Sequence, residues 1–314
     1  MTQLPEAPRL TIGLPVYNGE DFLAETLDSI LAQDYHDFEL IVSDNASTDR
    51  TAGIVAEYAE RDPRIRYVSS KTNVGAAANY NRPVELACGE YFKWQSDDDL
   101  IAPTYVSSCI AILDAQPDVV LAYGKTRLID EAGATIGDHR DGMHLPSPRP
   151  WTRLRDFAAH RWLCNPCFGV MRTSMLRNST TLITPGDSSD VTFLAQVALA
   201  GRVIEVPEYL FYRRVSNDSR GLGELDATQV EAWFGAPKKR RTRLPMARVF
   251  ADIEWWILRS DLSLASKLRT AGTFGYAWCK RQAGISLWRL RRRMRGSGPR
   301  SFVRGIADQT TKQR

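Results

Sequence analysis

Short apolar segments and amphipathic segments alternate through the first 124 residues of the chain. LTIGLP (10–15) and FELIVS (38–43) are typical of buried strands, and the segment between them, 20–33, spaces its apolar side chains at helical intervals. The same order continues downstream, where further strands are predicted at 64–69, 90–95 and 118–124. This alternation of strands and helices predicts an α/β fold with a mostly parallel, Rossmann-like sheet flanked by helices. The strand–helix–strand units are expected to be right-handed, as in nearly all proteins.

The composition is that of a globular protein with a sizeable core. The 314 residues are 43% hydrophobic and 25% charged, which suits one large domain with an extension, or two domains. The first residues, MTQLPEAPRLTIGLP, contain no basic segment followed by a long apolar run. No segment approaches the roughly 20 apolar residues of a membrane-spanning helix. We therefore expect a cytoplasmic protein.

The five cysteines are too few and too scattered for a disulfide framework. Cys164 and Cys167 have C-x-x-C spacing, but no second pair of ligands follows that would complete a zinc site. We interpret both as buried structural thiols.

Polar residues follow the carboxyl ends of four predicted strands, in the segments 15–18, 43–49, 71–73 and 97–99. Ligands of open parallel sheets bind outside these strand ends, so the four segments are expected to share one rim. The last segment is the aspartate trio, Asp97, Asp98 and Asp99. Three adjacent carboxylates repel one another unless a cation or hydrogen-bond donors neutralise them. A solvated turn or a helix cap is the structural alternative.

The rim suits a divalent cation and a diphosphate better than a dinucleotide cofactor. A phosphate-binding G-x-x-x-x-G-K-[ST] segment is absent from the sequence, and the nearest dinucleotide fingerprint, 221–226, ends in Asp226 instead of a glycine. Mg²⁺ and Mn²⁺ prefer oxygen ligands and are commonly held by one or two carboxylates together with substrate phosphates. The trio therefore predicts a substrate that carries a diphosphate.

Five segments, taken in order, resemble glycosyltransferase family 2, which has the GT-A fold. They are PVYNGEDFLAETLDSILAQ, FELIVSDNASTDRT, KTNVGAAANYN, ACGEYFKWQSDDDLIAP and SSDVTFLAQVALAGRVIEVPEYLFYRR. The resemblance implies a GT-A domain over about residues 8–220, with a nucleotide-sugar half at 8–125 and an acceptor half at 126–220. It also implies a metal-dependent transferase that moves a sugar from a nucleotide diphosphate sugar, here a uridine diphosphate sugar, with inversion.

The resemblance places the nucleotide against the loops that follow the first three strands. It implies that the first loop borders the base and ribose through Pro15, Tyr17 and Glu20. It implies that Asp44 accepts a hydrogen bond from the base, whereas a turn closed by the Asp44 side chain is the alternative. The third loop matches the family element that lets the backbone approach the nucleotide, through Asn73, Gly75 and Asn79.

The aspartate trio matches the D-x-D motif of the family, which implies Mg²⁺ or Mn²⁺ as cofactor. Asp99 would bind the metal. Asp97 would reach the ribose or sugar and share in the metal site, and Asp98 would contact the sugar or a metal-bound water. Ser96 stands where many members carry a further acid, so this division of roles stays open. Arg213 or Arg214 would meet the diphosphate, because a guanidinium matches phosphate geometry.

The family also implies a catalytic base that takes a proton from the acceptor hydroxyl. Asp190 aligns best with that acid, and Asp187 is its rival. The alternative for both is a helix N-terminal acid favoured by the helix dipole. Trp162, Asn165 and Phe168 lie between the two acidic motifs and either wall the acceptor pocket or pack in the core.

The C-terminal region, 237–314, is strongly basic, whereas the rest of the chain is acidic. Residues 238–314 contain 20 Lys and Arg against four Asp and Glu, and residues 1–237 contain 21 against 33. Its helical segments interleave Trp and Leu with Arg, a pattern typical of helices that lie on anionic membranes. Nucleic-acid binding is the competing interpretation, which the acidic body disfavours. We expect a peripheral protein on the inner face of the cell membrane that glycosylates a lipid-linked or polymeric glycan acceptor.

Two other functions remain open at this point. One is a non-catalytic module that binds a sugar nucleotide or a glycan. The other is a nucleotidyltransferase, which also uses aspartates and Mg²⁺ on an α/β sheet and would release pyrophosphate.

Overall fold

The structure, a computed structural model, describes residues 7–159, 164–178, 183, 189–215 and 245–294. The strands are Leu10–Val16 (β1), Phe38–Asp44 (β2), Ile65–Ser69 (β3), Tyr91–Trp94 (β4), Leu100–Ile101 (β5), Val119–Ile129 (β6), Thr135–His139 (β7), Val170–Arg172 (β8) and Arg202–Arg214 (β9). The helices are Leu23–Leu31 (α1), Thr51–Arg61 (α2), Ala76–Leu86 (α3), Tyr105–Ala115 (α4), Pro150–Ala159 (α5), Thr173–Asn178 (α6), Ser189–Ala200 (α7), Pro245–Arg259 (α8) and Leu264–Met294 (α9), with a 3₁₀ turn at Asn165–Phe168.

The predicted parallel sheet is confirmed in the first half of the chain. Strands β3, β2, β1 and β4 lie side by side in that order and are parallel. Beyond β4 the sheet is mixed, because β8 pairs antiparallel with both β4 and β6, while β6 and β9 are parallel. The short strand β5 pairs antiparallel with β9, and β7 with β6. The fold is α/β, and its sheet is mixed where the sequence predicted mostly parallel strands.

Helices cover both faces of the sheet, as predicted. One hydrophobic cluster packs α1, α2 and α4 against the sheet, and a second packs α3, α5, α7, α8 and α9 against the opposite face. Tyr91 and Phe92 are neighbours on β4 and enter different clusters, because successive side chains of a strand point to opposite faces. Gly13 of β1 lets α3 approach closely, since a Cβ there would lie 2.6 Å from Cβ of Pro83.

The two C-terminal helices are part of this packing. Buried side chains of α8 and α9, among them Ile253, Ile257, Phe274 and Trp278, join the cluster that contains α5 and α7. Both helices fall where the sequence predicted a basic helical extension, and residues 237–244 and 295–314 of that extension lie outside the described residues. In the described part of the chain, no helix is both long enough and apolar enough to cross a membrane.

Candidate active site

The loops after β1 and β2 are joined by hydrogen bonds into one rim. The backbone N–H of Asn18 donates to Oγ of Ser47 at 2.9 Å, and Oδ1 of Asn18 accepts from the N–H of Thr48 at 2.9 Å. The N–H of Glu20 donates to Oδ2 of Asp49 at 3.0 Å. These bonds fix the shape of the rim before any ligand arrives, as the common-rim prediction requires.

The three residues expected to border the base and ribose differ in their exposure. Tyr17 is 40% exposed at the end of β1. Glu20 is exposed, and its carboxylate accepts the N–H of Arg50 at 3.0 Å. Pro15 is buried inside β1, where it pairs with Ser43. Tyr17 is therefore the residue of the three that is best placed to meet a base.

Asp44 ends β2 and is only 2% exposed. Its carboxylate accepts the N–H of Ser47 at 2.9 Å and the Ser47 hydroxyl, and its other oxygen accepts the hydroxyl of Tyr67 at 2.5 Å. A carboxylate has about four acceptor positions, so about one is left for a base. Asp44 thus closes the turn that was its structural alternative, and the described contacts leave little of it for a ligand.

The third loop ties the ends of β1, β2 and α3 together. Asn73 Oδ1 accepts from Nδ2 of Asn45 and from the N–H of Gly75, both at 2.8 Å. Gly75 has φ of 85° and ψ of 156°, a conformation open essentially to glycine alone. Asn79 is buried, accepts the hydroxyl of Ser43 at 2.7 Å and donates to the carbonyl of Val16 at 3.2 Å. All three predicted residues therefore shape the loop backbone.

The backbone of the aspartate trio is held by donors from three elements. Oγ1 of Thr26 on α1 donates to the carbonyls of Asp97 (3.0 Å) and Asp99 (3.2 Å). The Nε2 of Gln95 donates to the Asp99 carbonyl at 2.8 Å, and the Nε of Arg214 on β9 donates to the Asp98 carbonyl at 3.0 Å. These bonds fix the backbone of the trio in place, and they do not use its carboxylate oxygens.

The three carboxylates of the trio lie in different surroundings. Asp97 and Asp98 are half-buried, whereas Asp99 is 4% exposed and accepts the backbone N–H of Arg214 at 2.8 Å. Burial and the neighbouring Asp98 carboxylate raise the pKa of both Asp97 and Asp99. The Asp97 carboxylate lies against Gly19, where a Cβ would come within 2.7 Å of Oδ2. The trio therefore carries repulsion that a cation would relieve.

A divalent cation fits this site only together with ligands from the substrate. In the described ranges, no group of three or more His, Cys, Asp and Glu side chains is arranged to hold a metal ion by itself. Mg²⁺ is usually held by one or two carboxylates together with waters and substrate phosphates. Two carboxylates of the trio would therefore be enough on the protein side. Asp97 and Asp99 flank Asp98, and the repulsion that raises the pKa of both carboxyls is repulsion that a cation would relieve.

The two arginines at the end of β9 have different environments. Arg214 is 3% exposed, and its guanidinium donates to the carbonyl of Glu131 at 2.7 Å and to the Glu25 carboxylate at 2.7 Å. Arg213 is half-buried and donates to Oδ1 of Asn165. Arg214 is thus committed to the interior, and Arg213 remains the candidate for a diphosphate contact.

Asp190 lies in the first turn of α7 and is half-buried. Its Oδ1 accepts the N–H of Val191 at 2.8 Å, so it does interact with the N-terminus of its own helix. Burial raises the pKa of the Cys167 thiol, and Asp190 and Asp99 both raise it further. Cys167 therefore lies near both the predicted base and the trio, in a 3₁₀ turn that packs against α7 and β4. Asp187, the rival base, lies outside the described residues.

The residues between the two acidic motifs include a stacked aromatic ring, a buried amide and two thiols. Phe168 stacks on Phe211 with ring centroids 5.7 Å apart, and Asn165 is buried. Cys164 and Cys167 are free thiols whose pKa values are raised by burial, in agreement with a structural role. Trp162 lies outside the described residues.

Lys93, which was not among the predicted site residues, is fully buried on β4, the strand that leads into the trio. Its Nζ donates to the carbonyl of Trp94 (2.9 Å), to Oε1 of Gln95 (2.8 Å) and to the carbonyl of Phe168 (2.8 Å). Burial lowers the pKa of Lys93 to about 7. Its signal was present in the sequence, since a lysine inside the apolar run YFKW is unusual for a buried strand.

Two solved structures with bound sugar nucleotides share this fold. Residues 1–349 of TarS from S. aureus in complex with UDP-GlcNAc match with a TM-score of 0.65 and 20% identity, over 89% of this chain and 75% of that one. The mannosyltransferase PcManGT from Pyrobaculum calidifontis, in complex with GDP-Man and Mn²⁺, matches with a TM-score of 0.53 and 18% identity, over 98% of this chain and 81% of that one. These likenesses support the GT-A fold.

Sequence relatives extend the same comparison. The uncharacterized protein Rv1520 of Mycobacterium tuberculosis (strain ATCC 25618 / H37Rv) is 36% identical over 263 residues, which cover 77% of this chain and 72% of that protein. The uncharacterized glycosyltransferase RT0329 of Rickettsia typhi (strain ATCC VR-144 / Wilmington) is 36% identical over 137 residues, 43% of this chain and 42% of that protein. Five of the relatives are matched over only 15% to 50% of their own length.

The family model described as Glycosyl transferase family 2 matches residues 11–179, which is more than half of the chain and includes the rim and the aspartate trio. The chain belongs to glycosyltransferase family 2.

Proposed function

We propose that the chain transfers a hexosyl or N-acetylhexosaminyl group from a uridine diphosphate sugar to a hydroxyl of a glycan or lipid-linked acceptor, with inversion. The observation that carries the proposal is that the 3₁₀ turn Asn165–Phe168 packs against both β4, which leads into the trio, and α7, which carries Asp190. Asp99 and Asp190 are both close enough to Cys167 in this turn to raise the pKa of its thiol. A donor diphosphate bound at the trio would then lie close to an acceptor hydroxyl bound at Asp190. TarS, with its bound UDP-GlcNAc, supports the choice of uridine over the guanosine of PcManGT.

In the proposed reaction, Asp190 takes the proton from the acceptor hydroxyl as that oxygen attacks the anomeric carbon. The bond from the anomeric carbon to the diphosphate breaks in the same step, so the nucleoside diphosphate leaves with the electron pair and the configuration inverts. A positioned carboxylate base contributes typically 10²- to 10⁴-fold to a rate. Asp187 is the alternative base.

Asp97 and Asp99 are the carboxylates that would hold Mg²⁺ or Mn²⁺ together with the donor phosphates. A bound divalent ion supplies Lewis-acid stabilisation of the leaving diphosphate. Asp98 would face the sugar, and Tyr17 would lie along the base, with Glu20, Asp44, Asn73, Gly75 and Asn79 shaping the loops around the nucleotide. Arg213 would contact the diphosphate.

A panel of nucleotide sugars tests the donor directly. Thermal unfolding with Mn²⁺ present should be shifted upward by uridine diphosphate sugars, because a ligand at 100 times its Kd adds about 2.7 kcal/mol to the unfolding free energy. Binding of a nucleotide sugar without release of UDP in the presence of any acceptor would instead indicate a binding module. Release of pyrophosphate from a nucleoside triphosphate would indicate a nucleotidyltransferase.

The C-terminal helices support a second part of the proposal, that the extension over 237–314 holds the GT-A domain, 8–220, at the cytoplasmic face of an anionic membrane. The outer faces of α8 and α9 expose Trp255 (47%), Leu258 (55%), Leu264 (72%) and Leu268 (62%). Cζ of Arg259 lies 4.5 Å from the centroid of the Trp255 ring, so a basic side chain lies beside the exposed apolar ones. Exposed apolar side chains beside basic ones are typical of helices at a membrane interface.

A further inference from the structure

A buried polar cluster lies on the acceptor side of the sheet, away from the four strand ends that drew attention to the site. Asp141 is 2% exposed, and its Oδ2 accepts the hydroxyl of Thr126 on β6 at 2.6 Å. Its Oδ1 accepts Nδ2 of Asn165, in the 3₁₀ turn, at 2.8 Å. Three segments that are distant in sequence thus meet at one carboxylate, and both of its oxygens are used as acceptors.

This cluster fixes the orientation of the Asn165 amide. Because Nδ2 of Asn165 donates to Asp141 and also to Oγ1 of Thr126 at 3.2 Å, the carbonyl end of the amide must point away from the carboxylate. That carbonyl oxygen, Oδ1, accepts from Nη1 of Arg213. The chain of contacts therefore runs from Asp141 through Asn165 to the guanidinium that is the candidate for the diphosphate.

Arg213 lies where its charge reaches both halves of the proposed site. Its guanidinium favours the ionised form of Asp99 and of the Cys167 thiol, and Asp190 interacts with the same thiol. Arg213 also favours ionisation of Asp141, so the carboxylate at the other end of the chain of contacts feels the same charge. The guanidinium thus lies near Cys167 and near Asp99, whose carboxylate accepts the N–H of the adjacent Arg214 at 2.8 Å.

The intervening amide keeps Arg213 from forming a direct ion pair with Asp141. The Asn165 carbonyl oxygen instead accepts a hydrogen bond from the guanidinium and so fixes its orientation. His139 does not add a second cation at neutral pH, because burial and the nearby Arg213 charge lower its pKa to about 4. An oriented guanidinium matches the geometry of a leaving diphosphate and can stabilise the charge that develops on it.

We propose that Asp141 and Asn165 are positioning residues that hold the Arg213 guanidinium near Asp99 of the aspartate trio, where it meets the leaving diphosphate. This inference rests on the proposed function, because it assigns a partner to the diphosphate of the same donor. Neither residue touches the substrate, and both act through Arg213.

The sharpest variant is Asn165→Asp, which keeps the size of the side chain and places a carboxylate against both Arg213 and Asp141. We expect kcat to fall about tenfold or more, since the loss of one charge-stabilising contact in a transition state has effects of this order or larger. We also expect the preference for UDP over UMP, measured by isothermal titration calorimetry with Mg²⁺, to fall several-fold, because only the diphosphate reaches Arg213. Asp141→Asn should change both quantities in the same direction.

A double-mutant cycle separates positioning from a purely structural role. In an Arg213→Ala background, Asn165→Asp should have little further effect on kcat or on the UDP to UMP ratio, since residues that act as one unit are not additive. Tyr123→Phe is the matched control, because it removes a buried hydroxyl that donates to Glu205 at 2.9 Å in the same core. It should leave the UDP to UMP ratio unchanged.

Different results overturn the inference and the proposed function. If the wild-type chain releases UDP from a uridine diphosphate sugar, but Asn165→Asp and Asp141→Asn keep its kcat and its UDP to UMP ratio, the positioning role is wrong and the proposed function stands. Effects of Asn165→Asp that persist in full in the Arg213→Ala background also contradict it. If the wild-type chain binds neither UDP nor any nucleotide sugar, the proposed function falls and the inference falls with it. Should Asn165→Asp fail to fold, Asp141→Asn carries the same comparison.

Discussion

The backbone N–H of Arg214 donates to Oδ1 of Asp99 at 2.8 Å, which ties the last acid of the trio to the last residue of β9. The two residues are far apart in sequence, and they meet because the short strand β5, directly after the trio, pairs with β9. The Arg214 guanidinium extends the connection to the carbonyl of Asp98 and to the carboxylate of Glu25. The segments 8–125 and 126–220 are thus joined at the trio.

The neighbouring arginines should therefore give opposite phenotypes. Arg214→Met leaves the carbonyls of Asp98, Asp130 and Glu131 without the guanidinium donor, so we expect a loss of about 2–4 kcal/mol in the unfolding free energy. Arg213→Met, at a half-buried position, should cost under about 1 kcal/mol but reduce kcat. Urea unfolding and UDP release, measured on both variants, check this. Equal losses of stability in the two variants would contradict the distinction.

Gly19 provides a steric test of the place of Asp97. A Cβ at residue 19 would lie 2.7 Å from Oδ2 of Asp97 and 2.7 Å from Cγ2 of Val16, so Gly19→Ala should displace the carboxylate. We expect the affinity for UDP in the presence of Mg²⁺ to fall about tenfold, on the order of one lost charge-assisted contact. The affinity measured with EDTA should change less.

Gly53→Ala is the matched control for this substitution. Gly53 lies on α2, and no atom lies within 4 Å of the place that an added methyl group would occupy. Alanine there should stabilise the helix by up to about 1 kcal/mol and leave UDP binding unchanged. If Gly19→Ala binds UDP and Mg²⁺ as the wild type does, Asp97 has no part in the metal site.

Lys93 should make stability depend on pH in a defined window. The pKa of Lys93 is lowered to about 7 in the folded protein from an ordinary value near 10.5, so between these values the unfolded chain binds more protons. The unfolding free energy attributable to this group must then rise with pH from about 7 upward. We compare the unfolding free energy of the wild type with that of Lys93→Met. Between pH 7 and pH 8.5 we expect the difference between the two free energies to change by up to about 2 kcal/mol in favour of the wild type.

This comparison is made between variants because buried cysteines and tyrosines titrate at higher pH in both proteins. Chemical denaturation at the two pH values gives the difference directly. The three acceptors around Nζ favour the ammonium form and so reduce the size of the effect. A difference that is flat across the window, or that falls with pH, would show that Lys93 stays protonated in the folded protein.

The outer faces of α8 and α9 predict membrane binding by the full chain. Replacing Leu264 and Leu268 together by serine removes exposed apolar surface without touching the buried side of α9, where Phe274 and Trp278 pack. Co-sedimentation with vesicles rich in phosphatidylglycerol at low salt should fall at least about tenfold, given the apolar area that two leucines can bury.

Ile136→Ser, at a position 46% exposed on β7, is the control and should bind as the wild type does. Vesicles of phosphatidylcholine alone should retain little protein, because the basic residues require anionic lipid. Unchanged binding of the double-serine variant, or equal binding to both kinds of vesicle, would exclude this surface as the site of attachment.

Local periodicity predicted the part of the fold that is built from local units. The strands β1 to β4 and β6 each coincide with an apolar run of the sequence. Three strand–helix–strand units connect β1 to β4 and account for the parallel direction of these four strands. The rest of the sheet depends on pairings between distant segments: β5 has two residues and β8 three, too few to produce a periodic signal. Hydrophobic periodicity also does not indicate whether two paired strands are parallel or antiparallel. The mixed half of the sheet was therefore not predicted.

The candidate site shows the same division. Asp97 to Asp99 stood out because adjacent like charges need an explanation, and the structure places them on the predicted rim. Ser47 and Tyr67 donate hydrogen bonds to the Asp44 carboxylate. The bond from Tyr67 could not be predicted from the sequence, because Tyr67 lies on the next strand. The cluster at Asp141 draws on three distant segments, so each of its residues looks ordinary in the sequence.

Asp190→Asn tests the central claim most directly. The measurement compares transfer of radiolabelled sugar from UDP-N-acetylglucosamine or UDP-glucose, with Mn²⁺, to an extract containing lipid-linked and polymeric glycans, and UDP affinity is measured alongside. We predict that the wild type transfers sugar and that Asp190→Asn loses 10²- to 10⁴-fold of the rate, within the range typical of a carboxylate base, with unchanged UDP affinity. Transfer by Asp190→Asn at the wild-type rate would contradict the assignment of Asp190 as the base.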